Sequence, residues 1–173
     1  MDNETMHEVL LELLEAKKYR ELKKELCDMN EVDIAAFMEE LDNEKALIVF
    51  RMLPKELATE VFACLEVEQQ ESIIDSINDT ELKYIIEDLY VDDAVDMLEE
   101  LPARVVKRVL KSATSDTRKL INEFLKYPAN SVGSIMTAEY VGLKKNMRVE
   151  EAFEYMTQFS PINKKRFVSL YTV

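Results

Sequence analysis

Glycine is nearly missing from this chain. There are two in 173 residues, and none before Gly133. The first 132 residues therefore have little need for left-handed backbone positions. No run of about 18 apolar residues occurs, so nothing in this chain is expected to span a membrane. The start "MDNETMHEVL" is acidic and has no basic residues ahead of an apolar core, so it does not read as a signal peptide. Basic residues are outnumbered, and the formal net charge is −13. That excludes nucleic acid, whose phosphates need a basic surface, and fits cations or a basic partner face. The two cysteines, Cys27 and Cys64, have no second Cys or His nearby. They read as reduced core residues of a cytosolic protein and give no zinc site. The single histidine, His7, reads as a surface residue. The acids come with no base–nucleophile set, so the chain is not expected to be an enzyme.

What is present is apolar and acidic. Hydrophobic residues make up 47%, enough for a packed core. The charge is uneven along the chain. Residues 41–101 carry 17 acids and 4 bases, whereas residues 102–127 carry 2 acids and 7 bases. An acidic middle followed by a basic segment is a pattern that needs an explanation.

The apolar residues recur with a period of twelve. Leu41, Leu53, Leu65, Ile77, Leu89, Leu101, Ala113 and Leu125 form one series. Val49, Val61, Ile73, Ile85, Met97, Val109 and Ile121 form a second, eight positions into each unit. The next position is apolar as well, except at Asn122. Each unit predicts one short helix of about 8–9 residues and a tight turn. Glu44, Glu56, Glu68, Thr80, Asp92 and Asp116 occupy a common slot read as the helix start, which Arg104 breaks. Pro54 and Pro102 suit a first turn. Helices this short are not stable alone. The prediction is an all-α superhelical stack, or solenoid, whose Leu, Val and Met periodicity is its core.

From Tyr127 the grammar changes. Pro128, Asn130, Ser131 and Gly133 mark a linker. "EYVGL" (139–143) and "RFVSLYTV" (166–173) are candidate strands, with helical spacing between them at Val149, Ala152, Phe153 and Met156. This is read as the start of a second domain, cut short. The division is 1–127 helical domain, 128–136 linker and 137–173 partial domain.

Three stretches carry a family resemblance: "MLPKELATEVFACL" (52–65), "LYVDDAVDMLEELP" (89–102) and "YPANSVGSIMTAEYVGL" (127–143). Together they resemble the cytosolic part of MgtE-type magnesium transporters, from about residue 6 to 160. The resemblance implies that residues 1–127 are that family's N-terminal regulatory domain and that 137–173 open the first of two CBS (cystathionine-β-synthase-type) domains. It implies a magnesium sensor at the cytoplasmic face of the membrane, with full-length chains paired as a homodimer. Acidic surfaces of the N domain and the CBS domains would be bridged by Mg²⁺, and the membrane pore of the same polypeptide would then close. The second CBS domain and the pore are absent from this sequence. The resemblance carries over three metal-site residues: Glu60, Asp92 and Asp96.

Read as residues alone, these acids have two meanings. Carboxylates are the hard oxygen donors Mg²⁺ prefers, and Asp92 and Asp96 stand one helical turn apart. No D-x-D-x-D-G loop suggests a calcium cage. Equally, Asp92 falls where a helix N-cap is expected, and Asp96, Glu99 and Glu100 fit an ordinary wetted face. Glu60 and Asp96 share one slot of the repeat, which elsewhere holds Ile48, Ser72, Tyr84, Arg108 and Leu120. Equivalent slots in a stack tend to face one side. Asp93, Glu99 and Glu100 would add field rather than ligate. The alternative to a magnesium sensor is a metal-independent helical scaffold, similar to the middle domain of flagellar motor switch proteins.

Overall fold

The computed structural model describes residues 3–128, 130–136, 141–159 and 170–172. Ten α-helices come first among them. They are α1 (Asn3–Glu15), α2 (Tyr19–Cys27), α3 (Glu31–Glu39), α4 (Asn43–Met52), α5 (Lys55–Cys64), α6 (Val67–Ser76), α7 (Asp79–Asp88), α8 (Val91–Glu100), α9 (Ala103–Ser112) and α10 (Ser115–Phe124). From α4 to α10 every helix has ten residues and starts twelve after the last. The helices are thus slightly longer than the spacing predicted, and the turns correspondingly shorter.

The turns explain the missing glycine. Between α4 and α5 the chain passes through Leu53 (φ −66°, ψ 146°) and Pro54 (φ −56°, ψ 148°). Both conformations are extended, and the turn needs no positive φ. The next turns repeat this with Leu65, Ile77, Leu89, Leu101 and Ala113 as the extended helix-ending residue. A proline after Leu53 and Leu101 enforces the extended state, because its ring clashes with an α-helical predecessor. Among the described non-glycine residues, positive φ occurs at Lys17 and Asn130.

Helix starts differ from the sequence reading by two positions. The N-caps are Asn30, Asp42, Pro54, Glu66, Asn78, Tyr90, Pro102 and Thr114. Four of them cap with a side chain. Asn30 accepts from the Asp33 N–H at 2.8 Å, Asp42 from Lys45 at 2.9 Å, and Thr114 from Thr117 at 3.3 Å. Asn78 accepts from Thr80 and Glu81 and completes a capping box. Asp92 is therefore not a cap. It is the second residue of α8, where its charge still favours the positive end of the helix. Replacing Asn78 by alanine should cost about 0.5–2 kcal/mol, measured by urea unfolding. The same change at Asp79, one residue later, should cost less.

The predicted core is observed, with one further stripe. Val49, Val61, Ile73, Ile85, Met97, Val109 and Ile121 are buried, as are Phe50, Phe62, Ile74, Ile86 and Leu98. One turn earlier lie Ala46, Ala58, Gln70, Leu82 and Ala94, also buried. Positions i, i+3 and i+4 on α4 to α8 thus share one inward face. Packing runs between helices two apart: α3 with α5, α5 with α7, α7 with α9, and α4 with α6 and α8 with α10. Consecutive helices therefore alternate between two layers, and α6 also packs against α9.

The two cysteines are not in this core. Cys27 and Cys64 are both exposed, each as the last residue of its helix and off the inward stripe. His7 is not a plain surface residue either. Its side chain is 11% exposed, its ring packs 5.5 Å from Phe37, and Nδ1 lies 2.8 Å from Glu40 Oε1.

The charge asymmetry has a structural reason. Two arginines of the basic α9 reach back to the acidic middle. Arg104 pairs with Glu71 and Asp75, and Arg108 with Asp79.

After α10 the Tyr127 ring packs edge-on against Phe124 at 5.7 Å. A short 3-10 turn at Val132–Ser134 then brings Gly133 so close to the Tyr127 ring that a Cβ would collide with it. Beyond it lie β1 (Val141–Leu143), α11 (Val149–Phe159) and β2 (Leu170–Thr172). The strands pair in parallel, Gly142 opposite Tyr171. The expected strand–helix–strand is present; the outer parts of both candidate strands, 139–140, 166–169 and 173, lie outside the described residues.

Candidate functional site

Glu60 is the sixth residue of α5 and Asp96 the sixth of α8, and both side chains are exposed. Neither makes a hydrogen bond or ion pair among the described residues. Asp92 is half-buried near the start of α8. The shared slot does not put Glu60 and Asp96 in one layer, because α5 and α8 belong to alternate layers. Asp96 faces the end of α5 instead. A cleft of about 240 Å³ lies between the α5–α6 turn and α8. Cys64, Glu66 and Gln70 line one side of it, and Asp93, Asp96 and Glu100 the other. Glu60 and Asp92 are not among the lining residues.

The cleft is electrically negative, and Cys64 registers it. Burial raises the thiol pKa first, and the charges of Glu31, Asp93 and Glu60 raise it further. The field of Glu60 and that of α8 therefore converge at the end of α5. Among the described residues, no three or more His, Cys, Asp or Glu side chains stand close enough to hold a metal ion together. The acids gather charge around the cleft without forming a closed cage.

Gln70 is a member the sequence reading missed. It is 5% exposed, and its Nε2 donates to the Phe62 carbonyl at 2.9 Å. Its Oε1 is buried with no hydrogen-bond partner. The signal was available: Gln70 stands where the neighbouring units hold Ala46, Ala58, Leu82 and Ala94. Glu66 was missed because the helix start was read at Glu68; Glu66 is the N-cap of α6 and makes no side-chain cap.

These features define an acidic helical-repeat domain followed by a parallel strand–helix–strand. Residues 29–130 match the family described as the MgtE intracellular N domain, and the chain belongs to that family. It is 30% identical over 156 residues to the magnesium transporter MgtE of Thermus thermophilus, covering 88% of this chain and 34% of that protein. It is 24% identical over 165 residues to the magnesium transporter MgtE of Bacillus subtilis, covering 94% of this chain and 37% of that protein. The chain thus spans about a third of the length of these curated relatives. A crystal structure of the cytosolic domain of the Mg²⁺ channel MgtE in complex with ATP is similar, at TM-score 0.77 and 29% identity over 95% of this chain and 67% of that one. A crystal structure of the soluble part of a magnesium transporter shares the fold, at TM-score 0.83 and 21% identity over 99% and 68%. Among the described residues, no helix is long and apolar enough to cross a membrane.

Proposed function

We propose that the chain is the Mg²⁺-sensing regulatory region of a magnesium transporter or channel, acting at the cytoplasmic face of the membrane. Residues 1–127 would be the sensor and 128–136 a linker. Residues 137–173 would open a CBS domain whose remainder, with the pore, lies in the rest of the polypeptide. The full-length protein would act as a homodimer. The chain would perform no catalysis.

The observation that carries this reading is that Glu60 and Asp96 are exposed and without an internal cation, while other acids of the same stack are matched by arginine. Such acids repel a second acidic surface. Mg²⁺ takes six oxygens in near-octahedral geometry, keeps several waters and accepts one or two carboxylates. The carboxylates of Glu60, Asp92 and Asp96 fit it in donor type. A half-site on this domain, completed by acids of the CBS domains, would bind weakly alone and tightly when docked. Docking would then follow Mg²⁺ concentration, and with it closure of the pore.

Mg²⁺ should therefore raise the Tm of the complete cytosolic region, by about 1.4 kcal/mol of stability at tenfold over Kd. Asp92→Asn with Asp96→Asn should remove most of that gain. An undiminished response in the double variant sinks their role as ligands. Cys64 offers a second readout. Neutralising Glu60 would lower the thiol pKa, so Mg²⁺ should speed alkylation of Cys64 by iodoacetamide at mildly alkaline pH.

A further inference from the structure

A groove of about 780 Å³ lies between the α4–α5 turn and α7. Its volume falls within the range of small-molecule sites, about 300–1,000 Å³. Phe50, Leu53, Ile77 and Ile85 give it an apolar floor. Its rim gathers three cations against two carboxylates, which is unexpected in this region. Residues 41–101 contain four basic side chains, and three of them, Arg51, Lys55 and Lys83, line this groove.

The charges at the rim are unequally committed. Its two carboxylates have internal work. Glu81 accepts from the Asn78 N–H at 3.0 Å, closing the capping box of α7. Glu87 accepts from the Thr114 N–H at 2.7 Å and from the Thr114 and Thr117 hydroxyls at 3.1 and 2.8 Å. The cations are not so engaged. Arg51, Lys55 and Lys83 are exposed and form no ion pair among the described residues. Arg51 donates to the Ser76 carbonyl at 3.1 Å, which leaves most of its five N–H donors free. Lys55 Nζ stands 5.0 Å above the Tyr84 ring, an arrangement that holds the ammonium over the groove.

We propose that this groove binds an amphipathic organic anion. An apolar, ring-sized body would lie on Phe50, Leu53 and Ile85. A single carboxylate, sulfonate or phosphate head would meet Lys55, Lys83 and Arg51. A metal cation is disfavoured by the rim, and a bare inorganic anion by the floor. The site is independent of the acidic cleft and of the Mg²⁺ reading.

The probe is 8-anilinonaphthalene-1-sulfonate, titrated into the folded 173-residue chain at about 0.15 M ionic strength, where long-range attraction is screened. One saturable site is expected, with amide shifts centred on Lys83 and Tyr84. Lys55→Glu with Lys83→Glu should weaken binding by at least about tenfold. Its thermal melt should shift only slightly, because neither ammonium forms an ion pair and the exposed Lys55–Tyr84 contact is weak. Thr80→Trp leaves the charges in place and plugs the groove, and it should weaken binding too. The uncharged N-phenyl-1-naphthylamine should bind far less. The proposal is overturned by non-saturable binding, by equal binding of the neutral analogue, or by unchanged affinity in both variants.

Discussion

Phe62→Ala is expected to cost about 3–5 kcal/mol, read as a shift in urea midpoint with little change in slope. Phe62 is fully buried in α5, and its ring sits 6.2 Å from that of Phe50. Its main-chain carbonyl accepts from the Leu65 N–H and from Gln70 Nε2, so neighbouring units are anchored on this residue. A stack of short helices has no other source of stability than such interfaces. Domains of this size hold about 5–15 kcal/mol in total, so the variant should lose a large part of it. Leu120→Ala, at a side chain 36% exposed in α10, is the matched control and should cost far less. A loss below about 1 kcal/mol at Phe62 would mean that the inner face is loosely packed.

That the same residue could be picked from the sequence shows where legibility is good. Period-twelve burial depends on short-range geometry alone, and the Val61–Phe62 pair was visible in its second unit. The register of the helix starts was less visible. Glu44, Glu56, Glu68 and Asp92 recur so regularly that they look like caps, yet the cap lies two residues earlier. That slot is chemically mixed, holding Asn78 but also Tyr90 and Pro102, because an extended backbone is all the turn demands. A side-chain oxygen is an optional gain there. The cysteines misled for a related reason. Cys64 has the usual chemistry of a core residue, but it lies to the side of the inward stripe of Ala58, Val61, Phe62 and Leu65.

The candidate site was legible in composition more than in geometry. One repeat slot holds Glu60, Tyr84, Asp96 and Arg108, and each does something different in the structure. Glu60 and Asp96 are exposed acids without a cation, Tyr84 lies under Lys55, and Arg108 is a clamp. Sequence spacing gives the slot but not the layer, and the alternation of layers depends on contacts two helices apart. The cleft that joins Asp96 to the end of α5 is a tertiary feature of this kind. Gln70 was hidden because a glutamine among alanines looks like drift until its amide is seen holding the Phe62 carbonyl.

Arg108→Ala should be the second severe substitution, at about 2–3 kcal/mol by the same unfolding measurement. The guanidinium of Arg108 donates to the Ile74 carbonyl, to the Ile77 carbonyl at 2.7 Å, and to Asp79 Oδ1 at 3.1 and 3.2 Å. The two carbonyls belong to the end of α6, where helix geometry leaves acceptors without partners and the dipole favours a cation. Alanine would strand both carbonyls, and the side chain is 29% exposed, so water replaces the lost donors incompletely. Arg108→Lys should recover only part of the loss, since a single ammonium cannot span three acceptors held in a planar fork. Arg104 is the informative contrast. It pairs with Asp75 and Glu71, and those pairs raise its pKa, yet it lies in open solvent. Surface pairs of this kind contribute little, so Arg104→Ala should leave the urea midpoint unchanged. If Arg104 proves as costly as Arg108, then charge pairing holds α9 to α6. If Arg108 alone matters, main-chain acceptors do, and the acids of the middle segment remain available for a cation from outside.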